Sequence, residues 1–362
     1  MRLRAVSGYG IKGPACFLAE TGGARFLLDL GKGPDRGRLP DLAGIGTVDA
    51  VLISHGHADH VGGLDLLAGI GDPSVYATSA VRALATHPAL QAARDLPLQG
   101  ETAIAGVRVE TGRNGHAPGG VWLRLGGEDG LVYMGDHSGE SCLYPFDPPP
   151  GARVLVFDAS YGDYDRPLDD ARDELARRAA DGPLLLPTQP AGRGLEMALA
   201  LRERTDVPIR LCPVHLATLR TVCGHDEALL MPGKREALLR LAETCGEIDP
   251  AARPDGILIA APADGGHGPS ADMLRRHADD RSMRIVFTGH GAEGTPAKAL
   301  VEAGRADVVR WNVHPRVSDN AALLARVGPE RALPAFLPAE RLAGLRDRLS
   351  DQRLATSGEL EP

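Results

Sequence analysis

The stretch Val48-Asp49-Ala50-Val51-Leu52-Ile53-Ser54-His55-Gly56-His57-Ala58-Asp59-His60 decides the fold. Its first half is an apolar run rich in Val, Ile and Leu, the pattern of a strand buried on both faces. Its second half packs three histidines and an aspartate into the six residues 55–60. Residues 61–70, VGGLDLLAGI, follow at helical spacing, so the cluster lies on a strand-to-helix loop. Imidazole and carboxylate are the ligands that zinc and similar divalent ions take. His55 and His57, two apart on an extended loop, can converge on one ion, while Asp59 and His60 face a neighbouring one. Gly56 and Ala58 keep the intervening side chains small.

Four ligands do not fill two ions, so further donors are needed, and strand ends supply them. ARFLLDLG (24–31), GVRVETGR (106–113), VWLRLGG (121–127), GLVYMGD (130–136) and ARVLVFDAS (152–160) read as strands. His116 lies in a turn between two of these, and Asp136 closes another. After about residue 165 strand and helix alternate: LDDARDELARRAAD, GPLLLP, RGLEMALALRER, VPIRLC, KREALLRLAETC, DGILIAAP, MRIVFTGHG. That alternation predicts a parallel sheet. The expected fold class is α/β, with one domain over 1–164 and 301–362 and an inserted α/β domain over 165–300. The run Asp163–Arg178 reads as a solvated helix face. The last residues, ATSGELEP, read as a frayed tail.

The 362 residues are 43% hydrophobic and 24% charged, ordinary globular values. A formal charge of −8 and a pI near 5.8 disfavour a broad electrostatic nucleic-acid footprint. A local basic groove remains compatible with them. Five cysteines without a C-x-x-C spacing predict neither a disulfide framework nor a zinc knuckle. Cys212 and Cys223 flank His215 and His225, yet the spacing fits no zinc template and buried small residues are the better reading. The N-terminus carries no apolar signal segment, and no stretch is long enough to span a membrane. A cytoplasmic, soluble, reduced protein is expected.

The order of histidine cluster, lone histidine and lone aspartate resembles the metallo-β-lactamase superfamily. That resemblance implies an αββα sandwich with the metals at the sheet edges. It makes His55, His57 and His116 ligands of one ion and Asp59 and His60 ligands of the other, with Asp136 bridging. Asp29 would be the acid that orients the cluster loop through hydrogen bonds. The implied cofactors are two divalent ions, zinc with manganese as an alternative, and the implied chemistry is hydrolysis by a hydroxide generated between them.

Later segments resemble the β-CASP branch, the nucleases that include RNase J and mRNA 3′-end cleavage factors. Asp158-Ala159-Ser160-Tyr161-Gly162 is similar to its acid-x-Ser/Thr-Tyr-Gly motif. Pro187-Thr188-Gln189-Pro190-Ala191-Gly192-Arg193 is similar to its Pro-x-Phe-Ala-x-Gly-Arg segment. Phe287-Thr288-Gly289-His290 with Glu293-Gly294-Thr295 is similar to its Thr-Gly-Tyr…Gly-Thr segment, and Asn312-Val313-His314 to its Ser-x-His. The insert stands where that branch carries its cap domain. The resemblance implies that His314 assists the leaving group as general acid, oriented by Asp158, with Asp59 at the catalytic centre. His290 is either a cleft residue or a hinge, and His137 a candidate neighbour of the ligands.

Departures are equally visible. The branch's third signature is a ligating histidine after a strand, followed by Gly-Glu; here the region reads Ala332-Leu333-Pro334-Ala335-Phe336-Leu337-Pro338. Pro-Arg-Val-Ser-Asp follows His314 where Ala-Asp is usual, and Lys298 stands where Arg is common. The leading expectation is a phosphodiesterase acting on RNA or single-stranded DNA. A small-molecule ester or phosphoester hydrolase of the same fold and a non-catalytic partner of an active nuclease are the alternatives. No membrane is expected as a partner, and a homodimer is compatible with everything above.

Overall fold

The computed structural model describes residues 1–361. Backbone contacts group them into two compact units, one of Met1–Asp165 with the chain from Val313 onward, the other Arg166–Asn312.

The first unit holds two mixed sheets. The seven-stranded sheet runs, in spatial order, Glu359–Leu360, Arg2–Ser7, Cys16–Thr21, Ala24–Leu28, Ala50–Leu52, Ser74–Ala77, Arg94–Asp95. The six-stranded sheet runs Arg331–Ala335, Val154–Asp158, Leu131–Tyr133, Val121–Leu125, Val107–Arg113, Gly100–Ile104. Period-two alternation explains how they stack. Phe26 and Leu28 meet Leu123, Tyr133 and Val156 in a core between the sheets. Leu27, Val51 and Ile53 turn the other way, onto Val61, Leu64, Val81 and Leu90 from helical segments. Val132, Leu155 and Phe157 likewise face Val317, Leu323 and Leu345 of C-terminal helices. Helices therefore cover the outer face of each sheet, which is why the strands read as unbroken apolar runs. This is the expected αββα sandwich.

The second unit is one parallel sheet, ordered Gly246–Glu247, Ile209–Leu211, Ile257–Ala260, Leu184–Pro187, Arg284–Phe287, Asp307–Val308. Arg193–Arg202 is its most enclosed helix, buried from Gly194 through Leu201, as an apolar-all-round segment requires. In Leu168–Ala180 only Leu168, Ala171, Leu175 and Ala179 are buried, and its charges pair along the exposed side, Arg178 with Glu174 at 2.7 Å. This is the solvated face read from its charge run.

Two expectations need correction. The C-terminal segment is not frayed: Leu360 lies opposite Leu3 in an antiparallel pair, is 2% exposed, and joins the intersheet core. A single buried leucine with two strand pairings is too short a signal to see in sequence. The helical reading of 61–70 resolves into a short α-turn, Ala58–Val61, and a 3₁₀ segment, Leu64–Ile70. Gly62, Gly63 and Gly69 shorten the run and favour tighter turns. No helix among the described residues is long and apolar enough to cross a membrane. All five cysteines are unbridged.

Candidate metal centre

The strand Ala50–Leu52 is fully buried and lies between parallel neighbours on both sides. Its exit carries Ser54 and His55 to the sheet edge. The neighbouring strand Ala24–Leu28 runs out into Asp29, whose φ of 60° is a conformation that short polar side chains tolerate. Asp29 Oδ1 accepts from the Ser54 amide at 2.7 Å. Its Oδ2 accepts from the Ser54 hydroxyl at 2.7 Å, His60 Nδ1 at 2.7 Å and the Tyr133 hydroxyl at 2.5 Å. A fully buried carboxylate is stable only with such a donor set. The same bonds lock the cluster loop: with Nδ1–H turned to Asp29, His60 presents Nε2 to the centre. Gly31 lets the two loops touch, since a Cβ there would stand 1.7 Å from the Asp59 carbonyl oxygen.

Three imidazole nitrogens converge. His55 Nε2 lies 3.1 Å from His57 Nδ1, which lies 3.0 Å from His116 Nε2. A tetrahedral ion with bonds of about 2.0–2.1 Å spaces its donors about 3.3 Å apart, so these separations fit one. His116 is set by its other nitrogen: Nδ1 donates to the Val313 carbonyl at 2.7 Å, leaving Nε2 as a lone-pair donor. Asp136 closes the group, Oδ2 standing 3.9 Å from His55 Nε2 and 3.6 Å from His116 Nε2. Its Oδ1 lies 3.3 Å from His60 Nε2 and, although buried, has no hydrogen-bond partner. An orphaned buried carboxylate oxygen amid imidazole lone pairs is what a cation site presents without its cation. Gly135 permits the turn into Asp136, at φ 57° with a phantom Cβ 2.6 Å from the Ser54 hydroxyl.

Electrostatics agree. Burial, then the neighbouring histidines, hold His55 well below the usual imidazole range. Burial does the same for His116. Both are therefore neutral and ready to ligate. His60 differs: burial disfavours its charge, but Asp136 and Asp29 outweigh this and raise its pKa well above the usual value, so a cation must displace its Nε2 proton to be ligated there. Burial would raise Asp136; His60 and His314 overcome it and keep the carboxyl ionised.

Beside this group stands a second pair. His314 Nδ1 donates to Asp158 Oδ2 at 2.7 Å and lies 3.7 Å from Asp136 Oδ2. Asp158 Oδ1 accepts from the Ser160 amide at 2.9 Å. Burial pushes Asp158 up and His314 more than offsets it, so the carboxylate is charged. The Val313 amide donates to the Tyr161 hydroxyl at 3.2 Å, and the His314 ring meets Tyr161 edge-on.

The structure thus gathers His55, His57, His60, His116 and Asp136 at one sheet edge, with His314 and Asp158 adjoining and Asp29 beneath. Their donor atoms form three overlapping groups: His55–His57–His116, His55–His60–Asp136 and His116–Asp136–His314. Asp59 enters none of these groups among the described residues; it is the second residue of the turn Ala58–Val61 and is partly exposed. His137 is buried but stacks on Phe146 at 5.9 Å. His290 is exposed in the second unit, and Lys298 pairs with Glu293 there. Sequence reading assigned no role to Ser54, Tyr133, Lys12 or Phe336. Lys12 Nζ reaches the Ser160 hydroxyl at 2.8 Å, beside Asp158. Tyr133 carried one usable signal, a hydroxyl on a core-facing strand position.

An αββα sandwich with four histidines and an unpaired carboxylate oxygen at one sheet edge defines a frame that can hold divalent cations. Residues 10–186 match the family model of the metallo-β-lactamase superfamily. The chain is 23% identical to the transcription termination factor FttA of Methanocaldococcus jannaschii, over 95% of its own length and 62% of that protein's. To an RNase J-like protein of the same organism it is 25% identical, covering 81% of this chain and 78% of that one. To a ribonuclease of Thermus thermophilus it is 27% identical, covering 76% of each. The expected kinship with the RNase J branch agrees with these relatives. The chain spans about three fifths of the FttA proteins it matches, 58% and 62% in two of them. A solved structure from Enterococcus faecalis, a protein of unknown function, superposes with a TM-score of 0.60 at 15% identity, over 94% of this chain and 95% of that one.

Proposed function

We propose that the protein is a metal-dependent phosphodiesterase that cleaves RNA in the cytoplasm. The observation that carries this reading is the pairing of a cation site with the His314–Asp158 couple, whose ring stands 3.7 Å from Asp136. His55, His57, His60, His116 and Asp136 would hold divalent ions, zinc or manganese, at two adjacent positions. Such ions supply an acidified water and polarise a phosphoryl group.

The chain's own residues do the rest. Asp29 and Ser54 keep the ligand loop rigid, so donors need no reorganisation. Asp158 accepts a hydrogen bond from Nδ1–H of His314 without taking the proton, which leaves Nε2–H to protonate the departing oxygen. The Asp158 carboxylate also stabilises the imidazolium that this role requires. Lys12 adds a fixed cation beside Ser160, suited to a phosphate oxygen. Ser160, Tyr161 and Asn320 brace the loop, Asn320 Nδ2 donating to the Asp158 carbonyl at 2.9 Å.

The test is cleavage of end-labelled single-stranded RNA and DNA oligonucleotides by protein loaded with Zn²⁺ or Mn²⁺. RNA cleavage is expected, and His314→Ala should lower kcat by about 10²–10⁴-fold with bound metal unchanged. Turnover of chromogenic phosphodiesters or esters without nucleic-acid cleavage would move the substrate class to small molecules. Metal binding with no turnover of any of these would refute the catalytic reading.

A further inference from the structure

The chain carries a formal charge of −8, yet the loops that brace the histidine cluster are basic. Residues 8–14 and 31–38 hold Lys12, Lys32, Arg36 and Arg38 against one acid, Asp35. The two loops touch. A Cβ on Gly33 would stand 3.1 Å from the Gly13 carbonyl oxygen, and one on Gly13 would stand 3.4 Å from Pro34 Cδ and 3.7 Å from Asp59 Cβ. Their backbones are also bonded to the histidine loop. The Lys32 amide donates to the Ala58 carbonyl at 2.9 Å, and the Ala15 amide, just past the first loop, to the Asp59 carbonyl at 2.8 Å. The backbone that holds the imidazoles in place therefore carries these cations as well.

Lys32, Arg36 and Arg38 form one group. The Lys32 side chain lies over Gly37, the residue between the two arginines, its Cε 2.9 Å and its Nζ 3.7 Å from where a Cβ would be. Arg36 and Gly37 turn the chain at φ 57° and 62°, and the Gly33 amide closes the turn on the Arg38 carbonyl at 2.7 Å. A positive φ is uncommon for arginine and is held only where the surroundings fix it. All three side chains are exposed, and among the described residues none of them makes an ion pair. Arg153, by contrast, holds Glu330 at 2.9 Å, and Arg210 holds Asp255 at 2.7 Å. Residues 31–38 include no aromatic or amide side chain, so the group can grip phosphate oxygens without reading bases. Lys12 extends it: its Nζ lies 2.8 Å from the Ser160 hydroxyl, two residues from Asp158.

We propose that Lys32, Arg36 and Arg38, continued by Lys12, are the track for the phosphodiester backbone of single-stranded RNA flanking the bond that is cut. This rests on the reading of the metal centre as an RNA phosphodiesterase. An anionic membrane or an acidic protein would feel the same charges, but the track abuts the loop that holds His57, Asp59 and His60, where a polyanionic strand has to lie to be cut. Binding along it is electrostatic, indifferent to sequence and steeply salt-dependent, because each neutralised phosphate releases counterions.

The experiment is fluorescence anisotropy of a labelled single-stranded RNA oligonucleotide, titrated with metal-loaded protein across a range of salt. Every protein in it also carries His314→Ala, so that the RNA stays intact. In Arg36→Gln/Arg38→Gln, two phosphate contacts fewer should flatten the slope of log K against log salt by about 1.4 and weaken binding about 25-fold at about 0.1 M salt. Lys32→Gln alone should flatten the slope by about 0.7, and it decides if the double variant fails to fold. Arg210→Gln, in the second unit, should leave slope and Kd unchanged, and bound metal should be the same in all. A folded double variant with the parent's slope and Kd would overturn the proposal. So would a loss in Arg210→Gln equal to that in Lys32→Gln, which is a net-charge effect, or a loss confined to phosphatidylserine vesicles, which would assign the group to a lipid surface. RNA held along the track but left uncut by protein with His314 in place would sink only the cleavage reading. Cleavage together with an unchanged slope in the double variant would sink only the track.

Discussion

Asp29 is the residue on which the centre's geometry turns. It accepts four hydrogen bonds while wholly buried, one of them from His60 and two from Ser54. Asp29→Asn keeps the shape but sets an amide N–H against one of those donors. Unfolding free energy should drop by about 3 kcal/mol, measured by urea denaturation of metal-free protein. Zinc affinity should drop about 10–100-fold because His60 loses its orientation. Retained affinity would show that the loop holds its shape without the carboxylate. Tyr133→Phe is the milder version: losing one hydrogen bond to a charged group should cost about 1.5–3 kcal/mol in the same assay. The histidine cluster was legible because its donors sit within one loop, where spacing alone tells which can converge. The Val313 carbonyl that fixes His116 was not legible, because a backbone atom 197 positions away leaves no residue-type signature.

At the scale of elements, apolar runs and alternation placed the strands around 24–31, 48–55, 106–113, 121–127, 130–136 and 152–160, while Cys16–Thr21, Ser74–Ala77 and Gly100–Ile104 went unread. Elements that break the usual patterns were not placed. Arg331–Ala335 contains Pro334, which reads as a strand breaker, yet at the edge of its sheet the missing N–H costs no ladder bond. Arg2–Ser7 interleaves arginines with apolar residues at short range and is half exposed. In the second unit, the junction of Leu184–Pro187 with helix Pro213–Gly224 hides a titratable group. His215 is fully buried, with Nε2 3.2 Å from the Gln189 carbonyl and Nδ1 3.1 Å from Cys212 Sγ. Burial pushes its pKa down to about 4. The unfolded chain, with a value near 6.5, binds a proton that the native state refuses. Stability is therefore full above pH 6.5 and declines as pH falls towards 4, by about 3 kcal/mol in all. Chemical denaturation across that window should show the decline, and His215→Gln should flatten it. A wild-type curve without slope there would place the proton elsewhere.

For the whole molecule, metal and fold are linked. A cation that binds only the native state adds about 4 kcal/mol when free metal exceeds Kd a thousandfold. Chelation should lower the thermal midpoint of the wild type and leave His116→Ala, already short of a ligand, nearly unmoved; calorimetric scans with and without EDTA check this. Equal shifts in both would mean that the chelated ion sits outside the cluster. Composition speaks only to the average at this scale: the −8 charge disfavours a broad electrostatic footprint for nucleic acid and leaves a local groove open, while relatives named for RNA cleavage and transcription termination align with most of the chain. Net charge averages over a surface, whereas a substrate meets only the residues at one sheet edge.

The chain leaves the sandwich after Asp165 and returns at Val313, and both crossings are laced to the same few residues. Val317 donates its amide to the Tyr164 carbonyl at 3.0 Å, Ser318 to Asp165 Oδ1 at 3.1 Å, and Val313 to the Tyr161 hydroxyl. The departure and re-entry points are thus held by the sandwich itself, next to Asp158 and His314. Such a junction works as a socket: an insert of another length or make could be spliced between these points with the ligands undisturbed.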